Sequence, residues 1–371
     1  MAFRSLNFYL ENLDDKSIIG SNSNSTSNSI SSPVYSDPLR ENSVSPEWPL
    51  AVDEDVVVVG HTANVRIYDL PALFNGVSVT STIIPVSANS VTLDSEFLYL
   101  GVSSSNTVSK YDKNSIFYSN ISSSWANSSS SFGKVVKARD GLLLVSAPNN
   151  FNNIGSVHVF DSRGLETAIL KPNTANQYTG FGTSIDLRDN TIVIGAPYDL
   201  EGKAYVYDYS GKLKNVLVGP NVNSRFGYSV AVGFSSILVG APNTTSRGGA
   251  YVYSTSGSEI KYIDPTSYGI GFDEYIGDYS AIESGKALLF VSPKVSINFA
   301  NPAIYSIDLR ANSHSAYGLP YTVNLGIQGK VGFTTSNANV FVCLGQDYWS
   351  GQKNIYTYSI QKRTHLLEEP I

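Results

Sequence analysis

One strand-turn-strand unit recurs along this chain at intervals of roughly forty to fifty residues, and that repeat limits the folds open to it more than any other feature. Three consecutive copies are plain. FGKVVKARDGLLLVSAPNNFNNIGSVHVFDSRG occupies residues 132–164, FGTSIDLRDNTIVIGAPYDLEGKAYVYDYSG residues 181–211, and FGYSVAVGFSSILVGAPNTTSRGGAYVYSTSG residues 226–257. Each copy reads as a short strand, a turn, an apolar run ending in Gly/Ser-Ala-Pro, a polar loop with glycine, and an alternating strand. The apolar runs at 142–145, 192–194 and 237–239 suit strands buried on both faces. In the alternating strands Val157 and Val159, Ala204 and Val206, Ala250 and Val252 face one side. The aromatics Phe160, Tyr205, Tyr207, Tyr251 and Tyr253 mostly face the other. A sheet packed between two neighbours needs apolar residues on both faces.

Weaker copies extend the series. Residues 56–60 lead to 65–69, 97–101 to 108–112, 287–293 to 303–308, and 340–345 to 354–358. Anchored on Gly60, Gly101, Ser146, Gly195, Gly240, Ser292 and Gly345, the chain holds seven units, each long enough for about four short strands. A ring hides sheet edges that an open stack would leave bare. The expectation is an all-β chain: a single seven-bladed β-propeller over residues 49–361 with an N-terminal extension. The segment before Val56 is expected to close the ring by joining the blade that contains Cys343. Outside it lie a docking peptide at 1–19, a Ser/Asn-rich tether at 20–48 and a tail at 362–371.

The three central units resemble the FG-GAP repeats of integrin alpha-chain propellers and of bacterial and viral proteins. The matching residues are Phe132-Gly133, Phe181-Gly182 and Phe226-Gly227, each followed by Ser146-Ala-Pro148, Gly195-Ala-Pro197 or Gly240-Ala-Pro242. The resemblance implies a propeller. It also implies, in several members, a calcium loop of the type Asp-x-Asp-x-Asp-Gly, since a hard cation needs several oxygens converging in one turn. Residues 149–153, 198–201 and 243–247 lack that spacing, so Asp199 and Glu201 are read as solvated loop acids and no metal is expected.

Chemistry-bearing motifs are scarce. Asp69, Asp112, Asp161, Asp208 and Asp308 each close an alternating strand, and Asp161 and Asp208 are followed three residues later by Gly164 and Gly211. That is the pattern of a type I turn, whose first carboxylate accepts local backbone hydrogen bonds. His61, His158, His314 and His365 are dispersed and form no metal motif. No nucleophile elbow or phosphate loop occurs. The expectation is a chain that is not an enzyme, with no catalytic residues and no cofactor.

The net charge of −6 comes without a Lys/Arg cluster, which argues against nucleic acid. Cys343 is the only cysteine, so neither an internal disulfide nor a thiolate zinc site can form. Arg4, Glu11, Asp14 and Asp15 interrupt the first residues, and no apolar run is long enough to span a bilayer. The chain is therefore expected to be made in a cytoplasm without a signal peptide and not to insert into a membrane.

Two functional classes follow. The first is a structural or interaction subunit of a large assembly, virion-associated, such as a phage tail or capsid-attached protein contacting other subunits. Its docking residues would be Phe3, Leu6, Phe8, Tyr9 and Leu10, carried on the tether. The second is a surface recognition module, adhesin-like or lectin-like, binding a host-surface protein or a glycan. Trp125, Tyr198, Tyr348 and Trp349, in loops, would supply the contact.

Overall fold

The computed structural model describes residues 81–172 and 178–268 without a break and most of 49–69. Beyond 268 it describes chiefly the strands, and before 49 only Tyr35–Ser36. Among the described residues the strands form seven antiparallel sheets, six of four strands and one of five. Blade 1 is Leu50–Val52, Val56–Gly60, Val65–Asp69 and Thr82–Ile84, from centre to rim. Blade 2 is Ser90–Leu93, Phe97–Val102, Thr107–Asp112 and Phe117–Ile121, and blade 3 is Val136–Arg139, Leu142–Ala147, Ser156–Asp161 and Glu166–Leu170. Blade 4 is Ser184–Arg188, Thr191–Ala196, Lys203–Tyr207 and Leu213–Val218, and blade 5 is Ser229–Val232, Ser236–Gly240, Ala250–Ser254 and Glu259–Ile263.

In blade 6 both Glu274–Tyr275 and Ser280–Glu283 pair with Lys286–Pro293, followed by Ala303–Asp308 and His314–Gly318. Blade 7 is Phe333–Ser336, Val340–Gln346 and Lys353–Ser359, completed at the rim by Tyr35–Ser36. The ring closes through that N-terminal strand, in the blade of Cys343. It falls within residues 20–48, which the sequence alone presents as tether. Each innermost strand packs beside the next around the ring, and Phe333–Ser336 returns to Leu50–Val52.

The Phe-Gly signature has a local cause. The residue before each phenylalanine, Ser131, Gly180 or Arg225, is left-handed (φ 57°, 70° and 54°). The bend turns Phe132, Phe181 and Phe226 inward, where all three are fully buried. Each ring meets aromatics of its own blade's third strand edge-on: Phe132 lies 6.1 Å from Phe160, Phe181 5.3 Å from Tyr205, and Phe226 5.6 Å from Tyr251. This accounts for the aromatic side of the alternating strands. Burying each phenylalanine stabilises the ring by about 2–3 kcal/mol.

The glycine that follows joins blades. The N–H of Gly227 donates to the Gly240 carbonyl at 3.0 Å within blade 5, while its own carbonyl accepts the Ser184 hydroxyl of blade 4 at 2.8 Å. The same stitch links Ser90 to Gly133 at 3.0 Å and Ser229 to Gly277 at 2.8 Å. Packing there is close: a Cβ on Gly195 would lie 1.9 Å from the Gly227 carbonyl oxygen, so glycine is a steric requirement at this joint, whereas blade 3 carries Ser146 at the equivalent position. In blade 6 the signature becomes Ile276-Gly277, with Ile276 buried in place of the phenylalanine.

Candidate functional site

In a blade, loops joining the second to the third strand emerge on the same face of the ring as loops joining one blade to the next. Among the described residues five large apolar ones, each more than half exposed, lie on that face: Trp125, Tyr178 and Val222 in interblade loops, Tyr198 and Leu200 in the loop within blade 4. Hydrogen bonds tie these loops to one another. The Asn150 side-chain amide donates to the Trp125 carbonyl at 3.1 Å, and Tyr178 N–H to the Asn153 carbonyl at 2.7 Å. Tyr198 N–H donates to Thr179 at 3.0 Å, Asn223 N–H to Leu200 at 3.0 Å, and Asn243 N–H to Ser224 at 3.0 Å. The face is thus a preformed surface running across blades 2 to 5. Cations border it: the Arg225 guanidinium lies 5.8 Å from the Tyr198 ring centre and the Lys171 ammonium 5.1 Å from that of Phe151.

Several bulky residues here are left-handed, Phe151 at φ 49°, Tyr178 at 59°, Leu200 at 55° and Arg225 at 54°. Outside glycine, asparagine and aspartate that conformation costs on the order of 1 kcal/mol or more per residue. Tyr178 and Leu200 do not offset the cost by burial.

Beneath Trp125 lies a buried polar chain. His158 and Ser156 are fully buried. The Asn150 amide donates to Ser156 Oγ at 3.0 Å, and Ser156 Oγ lies 3.0 Å from His158 Nε2. His158 Nδ1 lies 2.5 Å from Glu166 Oε1, and the Ser123 hydroxyl donates to Glu166 Oε2 at 3.0 Å. One assignment satisfies every member: Ser156 donates to Nε2 of a neutral imidazole, whose Nδ1–H donates to Glu166. Burial holds the His158 pKa below its ordinary value, with Glu166 opposing more weakly. The order Ser-His-Glu is that of a nucleophilic triad, but Ser156 is sealed from solvent and no substrate can reach it. The chain ties the Trp125 loop to blade 3.

The turn acids behave as their spacing implies. Asp161 Oδ1 accepts from the N–H groups of Arg163 and Leu165, and Asp208 Oδ1 from those of Ser210 and Lys212. Both carboxyls sit below their ordinary range, Asp161 chiefly through the Leu165 N–H and Asp208 chiefly through the Lys214 ammonium. Asp199 corrects the reading of a solvated acid. It is buried, 2.9 Å from Lys203 Nζ and 3.2 Å from the Tyr205 hydroxyl, because the loop folds its carboxylate back under the blade. Among the described residues no group of three or more His, Cys, Asp or Glu could hold a metal ion, and no helix is long and apolar enough to cross a membrane.

Of the loop aromatics singled out from sequence, Trp125 and Tyr198 fall on the same face. Tyr348 and Trp349 lie outside the described residues, as do Phe3, Leu6, Phe8, Tyr9 and Leu10. Sequence reasoning missed Tyr178, Leu200 and Val222. Tyr178 stood three residues before Phe181, a fixed offset from the repeat signature, and that was the available clue.

A family model for the FG-GAP repeat matches residues 165–207, from the rim strand of blade 3 through the third strand of blade 4. No curated protein matches the chain in sequence. Among solved structures, streptogramin B lyase is similar with a TM-score of 0.58 at 11% identity, over 88% of this chain and 98% of that one. Virginiamycin B lyase from Staphylococcus aureus gives 0.58 at 12%, over 86% and 97%. The WD40 domain of Toxoplasma gondii coronin gives 0.59 at 11%, over 90% and 86%. The chain folds as a β-propeller, and one of its repeats matches the FG-GAP model.

These structures correct one expectation. The chain was read as not an enzyme because no catalytic motif is visible in it. Two of the similar propellers are lyases, so catalysis stands on rings of this build and missing motifs do not exclude it. The physical reason is that a ring brings residues from distant blades to one face, where no local spacing announces them.

Proposed function

We propose that this propeller is an interaction subunit of a larger multi-subunit assembly and that the face carrying Trp125, Tyr178 and Tyr198 meets its neighbour. One observation carries the reading: Tyr178 and Leu200 are held left-handed and exposed, at a cost in stability that no burial offsets. Stability alone would favour glycine or asparagine there. A surface kept at that cost, with aromatic rings and flanking cations, has the make-up of an interface centre. The assembly we favour is a virus particle, such as a phage tail or a capsid-attached position. A Ser/Asn/Tyr-rich, Lys-poor composition like that of phage structural proteins supports it.

The test is photo-crosslinking from within the intact particle that contains the chain. An unnatural residue at 125 or 198 should capture the same neighbouring subunit, while one at Ile260, exposed on the rim of blade 5, should capture none. Equal capture from all three positions, or none from 125 and 198, would overturn the reading.

The exposed rings also favour a second reading, recognition of a host-surface glycan by stacking. A glycan array on the isolated chain decides it: binding lost in Trp125→Ala supports recognition, and binding no stronger than background removes it.

A further inference from the structure

The rim strands of the blades differ in one respect that matters for association. A rim strand presents unpaired N–H and C=O groups to solvent, and proteins guard such edges with charge or by keeping them short. Blades 3, 4, 5 and 6 place Glu166, Lys214, Glu259 with Lys261, and His314 on their rim strands. Thr82–Ile84 of blade 1 and Tyr35–Ser36 of blade 7 are three and two residues long. Blade 2 does neither. Its rim strand Phe117–Ile121 has five residues, is exposed at every position except Ile121, and carries no Asp, Glu, Lys, Arg or His. Its inner edge pairs with Thr107–Asp112, and its outer edge pairs with no strand among the described residues.

The neutrality extends further, since no charged residue occurs from Asn114 to Gly133, a stretch that also carries the exposed Trp125. The strand's rings are already placed. Phe117 rests edge-on against Tyr111 at 5.4 Å and Tyr118 against Phe97 at 5.1 Å, with the Lys110 ammonium 3.7 Å from the centre of Phe97. Ile116, Phe117 and Tyr118 are each more than half exposed.

We infer that Phe117–Ile121 pairs antiparallel with the same strand of a second copy of this chain, about a twofold axis, joining the two blade 2 sheets into one. A twofold pairing sets each strand against its own sequence, so any charge on it meets a like charge opposite or nearby. Lys214 or Glu259 would oppose that arrangement in blades 4 and 5, and the rim strand of blade 2 itself carries no charge that would. A second copy brings an edge of the same length, equally uncharged, with rings to pack on rings. The inference stands independently of the loop face and of any assembly it serves.

Sedimentation of the full chain from low micromolar to submillimolar concentration tests it. The expected result is a reversible monomer–dimer equilibrium. Ser119→Glu and Ser119→Lys should each raise the dissociation constant at least about tenfold by placing like charges across the axis, and an equimolar mixture of the two should restore association. Val218→Lys, on the rim of blade 4, should leave it unchanged. An unshifted thermal midpoint shows that each variant is folded. A mass of one chain across the whole series overturns the inference, as does association that persists unchanged in both Ser119 variants.

Discussion

The hydroxyl of Ser184 donates to the carbonyl of Gly227 at 2.8 Å across the boundary between blades 4 and 5. The same bond joins Ser90 to Gly133 and Ser229 to Gly277, while blade 3 carries Val135 where blade 4 has Ser184. The left-handed glycine aims its carbonyl at the preceding blade, where it accepts the hydrogen of the serine hydroxyl.

The first prediction concerns this joint. Gly227 has φ 89°, and a Cβ there would lie 2.2 Å from the Lys203 carbonyl oxygen, whereas Gly141 has φ 75° with nothing within 4 Å. Gly227→Ala should therefore destabilise the ring by about 3 kcal/mol or more, and Gly141→Ala by about 1 kcal/mol. Ser184→Ala should cost about 1 kcal/mol through the lost donor. Urea unfolding of the three variants checks the ranking, and equal losses for both glycines would break the steric argument.

The parts legible in the sequence are those that burial writes on both faces of a strand. Phe181 with Tyr205, and Ile192 to Ile194, announce a blade because a sheet between two sheets has no polar side to blur the pattern. Ile276-Gly277 escaped because the buried position asks only for apolar bulk, so isoleucine fills it and the signature disappears. The loop face was half legible: Trp125 and Tyr198 drew notice as aromatics among polar residues, but the left-handed turn that projects Tyr178 leaves no composition signal. The links of Asp199 to Lys203 and of His158 to Glu166 depend on how a loop and a hairpin fold back. Neither spacing implies a pair.

A second prediction follows from that Asp199–Lys203 pair. Asp199 is buried and Lys203 Nζ sits 2.9 Å away, so Asp199→Ala leaves an ammonium partly buried without its counter-charge. The expected loss is about 2–3 kcal/mol in urea unfolding. Adding Lys203→Met to Asp199→Ala should recover part of it, because the orphaned charge is then gone. A double variant no more stable than the single would show that packing, not charge, sets the cost.

A third concerns acid. Burial holds the His158 pKa below its unfolded value of about 6.5, so the folded state favours the neutral ring. The contribution is therefore fully present above about pH 6.5 and declines as pH falls below it, since the unfolded chain then binds the proton more readily. Protonation also puts a hydrogen on Nε2, and the Ser156 hydroxyl, which lies 3.0 Å away, loses its acceptor. The thermal midpoint of the wild type should fall on acidification through this window. His158→Gln should lower the midpoint at neutral pH and flatten the fall. An identical slope in that variant would place the acid sensitivity elsewhere.

The last prediction separates stability from recognition on the loop face. Tyr178 is exposed and sits at φ 59°, where glycine carries no steric penalty, and its N–H bond to the Asn153 carbonyl at 2.7 Å is made by backbone alone. Tyr178→Gly keeps that bond and relieves the left-handed cost, so it should leave stability unchanged or raise it by up to about 1 kcal/mol. If the ring contributes to an interface centre, the same change should weaken partner binding by about 2 kcal/mol, roughly thirtyfold in affinity. Most truncations lower stability and binding together, and opposite signs arise only where a side chain is retained for contact against the preference of its own backbone. Thermal melts alongside binding to the neighbour captured from position 198 read both effects, and a variant that binds normally would remove Tyr178 from the contact.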